Sequence, residues 1–262
     1  MNLLQALLLG ALQGVIEWLP ISSSGQGMLV MFNLMGIDQL KALSLSFFLH
    51  LGSLLAVVIY FRNDIKEIYT SIRAKRWKGS YLEFLVISTL ATAVVGIPIY
   101  LKLRSLLESM GNQVNILIGV GLIVTGLFLR SSDETGSKSV AESNLSDMLL
   151  VGFAQGIAVV PGISRSGATI ALLLFRRFDQ REALKISFLM AIPAILGANF
   201  LGLFGGELSG VAPSNLIAGV IFSLAASLVG IRFLLDVSRK LRFDSFCLFF
   251  GAIAVLFGLA LF

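Results

Sequence analysis

"GALQGVIEWLPISSSG", residues 10–25, and "GFAQGIAVVPGISRSG", residues 152–167, align without a gap when 142 is added to the first numbering. Gly10, Gln13, Gly14, Ile21, Ser22, Ser24 and Gly25 meet Gly152, Gln155, Gly156, Ile163, Ser164, Ser166 and Gly167. Each copy carries a proline near its centre, Pro20 or Pro161, and each opens one half of the chain. The pair reads as an internal duplication. Both copies set proline and hydroxyl groups into apolar surroundings, where hydrocarbon cannot satisfy the freed backbone.

Composition places those interruptions in a membrane. Of 262 residues, 56% are hydrophobic and only 13% charged, against about 25% charged in an ordinary soluble domain. Runs such as "LSFFLHLGSLLAVVIYF" and "FCLFFGAIAVLFGLALF" approach the roughly 20 residues that cross a bilayer. The net charge of +5 does not require nucleic acid, because the basic residues fall in short loops between apolar runs, as the positive-inside pattern places them. Cys247, the one cysteine, forms no intrachain disulfide and reads as a small core residue. The first apolar run lacks a basic leader and runs into Glu17 and the serines, so it does not read as a cleavable signal peptide.

Six full spans are expected near 45–61, 84–101, 114–129, 184–204, 215–236 and 246–262. The loop 62–83 carries Arg62, Lys66, Arg73, Lys75, Arg76 and Lys78, which assigns it to the cytoplasm. Alternation then puts 130–147, 176–183 and 237–245 on the same side, with Arg176, Arg177, Arg181, Arg239, Lys240 and Arg242. The outside loops hold only Lys102 and Arg104. Segment 147–175 therefore starts and ends inside and must turn back within the membrane. By the repeat, 3–36 does the same from the outside.

The expected fold is an all-α polytopic membrane protein with an inverted-topology repeat, each half one re-entrant helical hairpin plus three transmembrane helices. The first half is 1–129, the second 147–262. Between them, 130–146 is Ser-rich and reads as a flexible cytoplasmic linker without chemistry of its own.

The two hairpin tips hold the chemistry. Gln13 and Glu17 lie four apart, on one helix face before Pro20. Ser22, Ser23 and Ser24 follow, able to cap a half-helix whose N-terminus favours anions. The second tip repeats the design with Ser164, Ser166 and Thr169 and adds Arg165, whose guanidinium suits bidentate contact with phosphate oxygens. A bland reading stands beside this one: serines cross-link membrane helices, and Glu17 and Arg165 can pair as a structural bridge. The lone histidine, His50, is either an interhelical hydrogen-bonder or a group facing the same cavity.

"QGVIEWLPISSSG", residues 13–25, resembles the [E/Q]-x-x-x-E motif and its Pro/Ser continuation in undecaprenyl-diphosphate phosphatases of the bacitracin-resistance type. "PGISRSGAT", residues 161–169, matches the P-G-x-S-R-S-x-x-T motif of that family at every fixed position. The resemblance spans essentially the whole chain. It implies a multi-pass plasma-membrane hydrolase that converts a polyprenyl diphosphate to the monophosphate. That reaction recycles a lipid carrier for envelope glycan synthesis and confers bacitracin resistance. The resemblance also implies a divalent cation, Mg²⁺ or Ca²⁺, a site open to the outer face, and a homodimer.

On the family pattern Gln13 and Glu17 serve the metal and the acid–base steps. Ser23 is nucleophile or phosphate ligand and Arg165 the phosphate clamp, with Ser22, Ser24, Ser164, Ser166 and Thr169 around the phosphates. One position departs from the pattern. Gln26 stands where the family commonly has histidine, and an amide can hydrogen-bond phosphate but cannot accept a proton. His50 is then the candidate to supply the imidazole; otherwise Glu17 or metal-bound water is the base. Because inverted repeats are also transporter architecture, translocation of an anionic prenyl-phosphate lipid is the alternative function.

Overall fold

The computed structural model describes residues 1–75, 77–131, 136–203, 208–237 and 243–260. Among them the chain is helical throughout: α1 (Leu3–Ile16), α2 (Ser23–Met35), α3 (Gln39–Tyr60), α4 (Arg62–Arg73), α5 (Tyr81–Met110), α6 (Gln113–Ser131), α7 (Leu145–Ile157), α8 (Arg165–Phe175), α9 (Gln180–Leu203), α10 (Pro213–Val237) and α11 (Phe243–Ala260). Side-chain oxygens on Asn2, Ser22, Asp38, Ser80, Asn144 and Ser164 accept a hydrogen bond from the first turn of α1, α2, α3, α5, α7 and α8. These polar residues just ahead of apolar runs fix where each helix begins.

Helices α3, α5, α6, α9 and α10 are long and apolar enough to cross a membrane. The sixth expected span is α11, whose 18 residues rise about 27 Å, just short of the hydrocarbon thickness. Large apolar side chains point outward along these helices, among them Leu90, Val94, Val229, Phe249 and Leu256. A soluble protein would not tolerate such a belt. The molecule is a polytopic membrane protein.

The two interrupted segments are helical hairpins. α1 stops before Pro20, since a residue preceding proline is driven out of the helical region, and α2 resumes at Ser23. α7 and α8 bracket 158–164 in the same way. Each leading helix lies against a long helix from the other half of the chain. α1 seats on α10, where a Cβ on Gly14 would sit 2.4 Å from the Ser223 carbonyl oxygen. α7 seats on α5, where a Cβ on Gly156 would sit 2.9 Å from the Thr92 carbonyl oxygen. Both contacts are backbone against backbone, which only glycine permits. The halves therefore share one interior. Its apolar clusters centre on Trp18, Phe84 and Phe188, and on Met28, Leu45 and Ile118.

Two connections differ from the expected loops. Part of 62–83 is the amphipathic helix α4, whose Ile65 and Ile68 pack on the core. The later part of the linker is docked: the Lys138 N–H donates to the Arg177 carbonyl, and the Asp179 N–H to the Lys138 carbonyl, each at 2.9 Å. Val140 is buried in the core, and buried Asp147 is held by the Lys138 ammonium and by Arg176 Nε at 2.7 Å. An apolar residue and an ion-pair partner inside a polar stretch anchor it. Arg76, Arg239, Lys240, Arg242 and linker residues 132–135 lie outside the described residues.

Candidate active site

The first residues of α2 and α8 occupy equivalent positions of the repeat, and they are Ser23 and Arg165. Both project at a tip, and between them lies Glu17, at the end of α1. Glu17 Oε1 accepts from Arg165 Nη2 at 2.6 Å. Its Oε2 accepts from Gln13 Nε2 at 2.8 Å and from Ser23 Oγ at 2.5 Å, and His50 Nε2 lies 3.0 Å away. Ser23 Oγ is also 3.5 Å from His50 Nε2. The i, i+4 spacing on α1 brings Gln13 to Glu17. The turn around Pro20 returns Ser23 to the same point, and α3 delivers His50 from across the fold.

The protonation pattern follows from the partners. His50 Nδ1 faces the Ser46 carbonyl oxygen at 2.5 Å while Nε2 faces Glu17. Both neighbours are acceptors, so a doubly protonated ring satisfies both. Glu17 sits between the imidazole and the guanidinium, with Gln13 and Ser23 donating to it as well. A buried charge at membrane depth is sustained by pairing of this kind.

Arg165 is held on three sides. Nη1 donates to the Ser187 carbonyl at 3.0 Å, Nη2 to Glu17, and the guanidinium lies 5.9 Å from the buried Trp18 ring. Thr169 Oγ1 is 2.7 Å from Ser187 Oγ and donates to the Arg165 carbonyl at 2.8 Å. These contacts consume two of the five N–H donors of a guanidinium and leave the others for a ligand.

Ser22 and Ser166 bind the tips to each other. Ser22, in the left-handed region at φ 60°, accepts from the Gly25 N–H at 3.3 Å and the Gly162 N–H at 3.1 Å. Ser166 Oγ donates to the Leu19 carbonyl at 3.2 Å, and Ser164 caps α8 through the Gly167 N–H at 3.0 Å. The Cys247 thiol donates to the Pro20 carbonyl at 3.2 Å. Even so, Ser22, Ser24, Ser164 and Ser166 line the cavity together with Glu17, Ser23, His50 and Arg165. That cavity has a volume of about 370 Å³, within the range of small-molecule sites. Its other walls are mostly apolar, including Phe47, Ile97, Val159, Ile195 and Phe200.

Three expected site residues do not line it. Gln13 reaches the constellation only through Glu17 and, at 3.4 Å, Ser23 Oγ. Thr169 sits behind Arg165 against α9. Gln26 lies on α2 away from the cavity, its Nε2 buried without a partner among the described residues. The sequence did not point to Trp18, Ser187, the Ser46 carbonyl or Thr125, whose Oγ1 accepts from the Ser164 N–H at 3.0 Å. Trp18 adjoins Glu17 and could have been found by that adjacency. Ser187 lies in an ordinary apolar helix and carries no local signal.

The expected metal pair, Glu17 with Gln13, is not a preformed cation site. Gln13 turns its amide N–H to Glu17, because an oxygen there would face a carboxylate, and both Glu17 oxygens are engaged. Among the described residues no three of His, Cys, Asp and Glu cluster to hold an ion. The oxygens present, one carboxylate amid hydroxyls, suit a hard cation that arrives with phosphate ligands of its own.

A protein of Methanococcoides burtonii named undecaprenyl-diphosphatase is 41% identical over 266 residues, covering 98% of either chain. One of the same name from Methanopyrus kandleri is 42% identical over 259 residues, 97% of this chain and 96% of its own. Another, from Alkaliphilus metalliredigens, is 34% identical over 280 residues, 99% of this chain and 100% of its own. Residues 6–256 match the family described as bacitracin resistance protein BacA, and with relatives of this identity along its whole length the chain belongs to that family.

Proposed function

We propose that this protein is the integral-membrane phosphatase that its family and relatives indicate, hydrolysing undecaprenyl diphosphate to the monophosphate and phosphate. The observation that carries the mechanism is the convergence of Glu17, Ser23, His50 and Arg165 on one cavity whose other walls are mostly apolar. The polar cluster meets the diphosphate; the apolar walls accept the first isoprene units.

The spare N–H groups of Arg165 and the start of α8 hold the terminal phosphate. Ser23 already donates its proton to Glu17, which leaves its oxygen lone pairs for the terminal phosphorus. As the Ser23 Oγ–P bond forms, the proton passes to Glu17 Oε2. The bridging P–O bond breaks, and the prenyl monophosphate leaves with its electron pair. Water then attacks the phosphoserine, and Glu17 returns the proton to the departing Oγ. Of the two protons of the water, one stays on the released phosphate and the other passes to the restored Glu17 carboxylate and on to solvent. His50 and Arg165 offset the growing negative charge, which in phosphoryl transfer is the main task of the protein. A divalent cation, Mg²⁺ or Ca²⁺, would be held by diphosphate oxygens with Glu17 as its protein carboxylate, and would neutralise further charge.

The same reading includes the inverted repeat of two re-entrant hairpins with three spans each. Its support is the matched seating of α1 on α10 and α7 on α5 through Gly14 and Gly156. The outer-face opening rests on the basic residues of 62–78 against the sparse Lys102 and Arg104 opposite. The homodimer rests on the resemblance alone.

Purified protein in detergent, given a C15 or C55 prenyl diphosphate, should release phosphate, and EDTA should suppress the release. Tight binding without turnover would replace the phosphatase by a lipid carrier.

A further inference from the structure

Helix α4 follows the span α3 with only Phe61 between them, and α5 begins at Tyr81, so the described residues 62–75 and 77–80 connect two spans at one membrane–water boundary. The inner face of α4 is accounted for. Ile65 and Ile68 pack on the core, and Asp64 pairs with Lys185 of α9. The outer face is not. Arg62, Lys66, Tyr69 and Arg73 recur at the i, i+4, i+7, i+11 spacing of one helical stripe, and all are exposed. The turn after the helix adds exposed Lys75, Trp77 and Lys78. Lys66, Arg73, Lys75 and Lys78 have no ion-pair partner among the described residues. Arg62 donates only to the Ile59 carbonyl, at the 3.5 Å limit.

Two further observations select the partner. Tyr69 is 59% and Trp77 43% exposed, and such rings settle at the headgroup level where one end is apolar and the other wet. The exposed cations Arg62, Lys66, Arg73, Lys75 and Lys78 lie on the same stripe and turn as these rings. We propose that this stripe and turn bind anionic phospholipid headgroups on the membrane side that carries α4. The attraction is that of a juxtamembrane basic cluster to an anionic leaflet, and salt screens it.

Trp77 supplies the readout. Trp18, the other tryptophan, is fully buried, and a Trp77→Phe variant gives the background to subtract. The protein is placed in nanodiscs of phosphatidylcholine with phosphatidylglycerol at equal mole fraction, and one lipid or the other carries brominated chains. Brominated phosphatidylglycerol should quench Trp77 about twofold or more over brominated phosphatidylcholine, and added salt should reduce the ratio. The R62Q/K66Q/R73Q/K75Q/K78Q variant should bring the ratio close to one while keeping wild-type prenyl diphosphate turnover, which shows it folded. Equal quenching by the two lipids in the wild type would overturn the proposal. So would a phosphatidylglycerol preference that survives undiminished in the quintuple variant.

Discussion

The Glu17 carboxylate and the Arg165 guanidinium, one at each hairpin tip, meet at 2.6 Å. Both side chains are nearly enclosed, at 4% and 14% exposure. Removing one partner strands the other charge in a poorly hydrated site, at a cost of about 3–5 kcal/mol for a buried pair. Arg165→Gln and Glu17→Gln should each lower the melting temperature in detergent. The double variant should be more stable than the sum of the two predicts, by about 1–3 kcal/mol. Turnover should not recover with stability, since each residue also serves the reaction. A fully additive cycle would mean that the pair carries no net interaction.

Ser22 and Ser23 are adjacent but differently employed, so alanine separates them. Ser23→Ala removes the proposed nucleophile, and turnover should fall by at least ~10³-fold with little change in stability. Ser22→Ala removes the α2 cap and the link to Gly162. It should cost about 1–2 kcal/mol of stability, with turnover reduced only modestly. Phosphate release and thermal unfolding on the two variants check both. Residual activity of Ser23→Ala near a tenth of wild type would recast Ser23 as a ligand and give the attack to water.

Much of this arrangement was legible in the amino-acid sequence. The repeat located both interruptions in the sequence, and their polar residues marked them as candidates for a site or for a structural bridge. The structure brings Glu17 and Arg165 into contact. His50 was less legible: position 50 on an apolar span does not say which way the ring points, and only the packing of α3 decides it. Ser187 and Thr125 were invisible, because a serine or threonine in a membrane helix reads the same whether it bonds its own turn or a neighbour. Gln26 follows the serines in the motif, yet it is not among the residues that line the cavity. Helix α4 was hidden by its charge, which resembles a solvated loop until Ile65 and Ile68 are seen on one face.

His50 bonds the Ser46 carbonyl and Glu17 at once, so it orients the carboxylate as well as adding positive charge. His50→Ala should lower kcat by about 10²-fold or more, the range for removing one group that stabilises developing charge. His50→Gln, which can donate to Glu17 but carries no charge, should recover part of KM and little of kcat. Steady-state kinetics with a C15 prenyl diphosphate separate the two. Unchanged kinetics in His50→Ala would reduce the residue to packing.

The helix seats at Gly14 and Gly156 bear on the site from a distance. A Cβ on Gly14 would meet the Ser223 carbonyl at 2.4 Å and Ala226 Cβ at 2.6 Å, and neither can turn away. On Gly156 the nearest atoms, the Thr92 carbonyl and Val95 Cβ, lie at 2.9 Å. Gly14→Ala must therefore push α1 off α10 by several tenths of an ångström, and Gln13 and Glu17 move with α1. Gly156→Ala strains a looser contact on α7, and Arg165 follows on the next helix. Gly197 is the control for stability alone, because a Cβ there meets nothing within 4 Å although the residue lines the cavity. Gly14→Ala should lose the most stability, about 1–3 kcal/mol as for overpacked cores, and should reduce kcat by displacing the carboxylate. Gly156→Ala should lose less on both counts. Gly197→Ala should match wild type in stability. Thermal unfolding in detergent and phosphate release order the three variants, and a Gly14→Ala protein as stable and active as wild type would show that α1 is not pinned against α10 as the glycine contact requires.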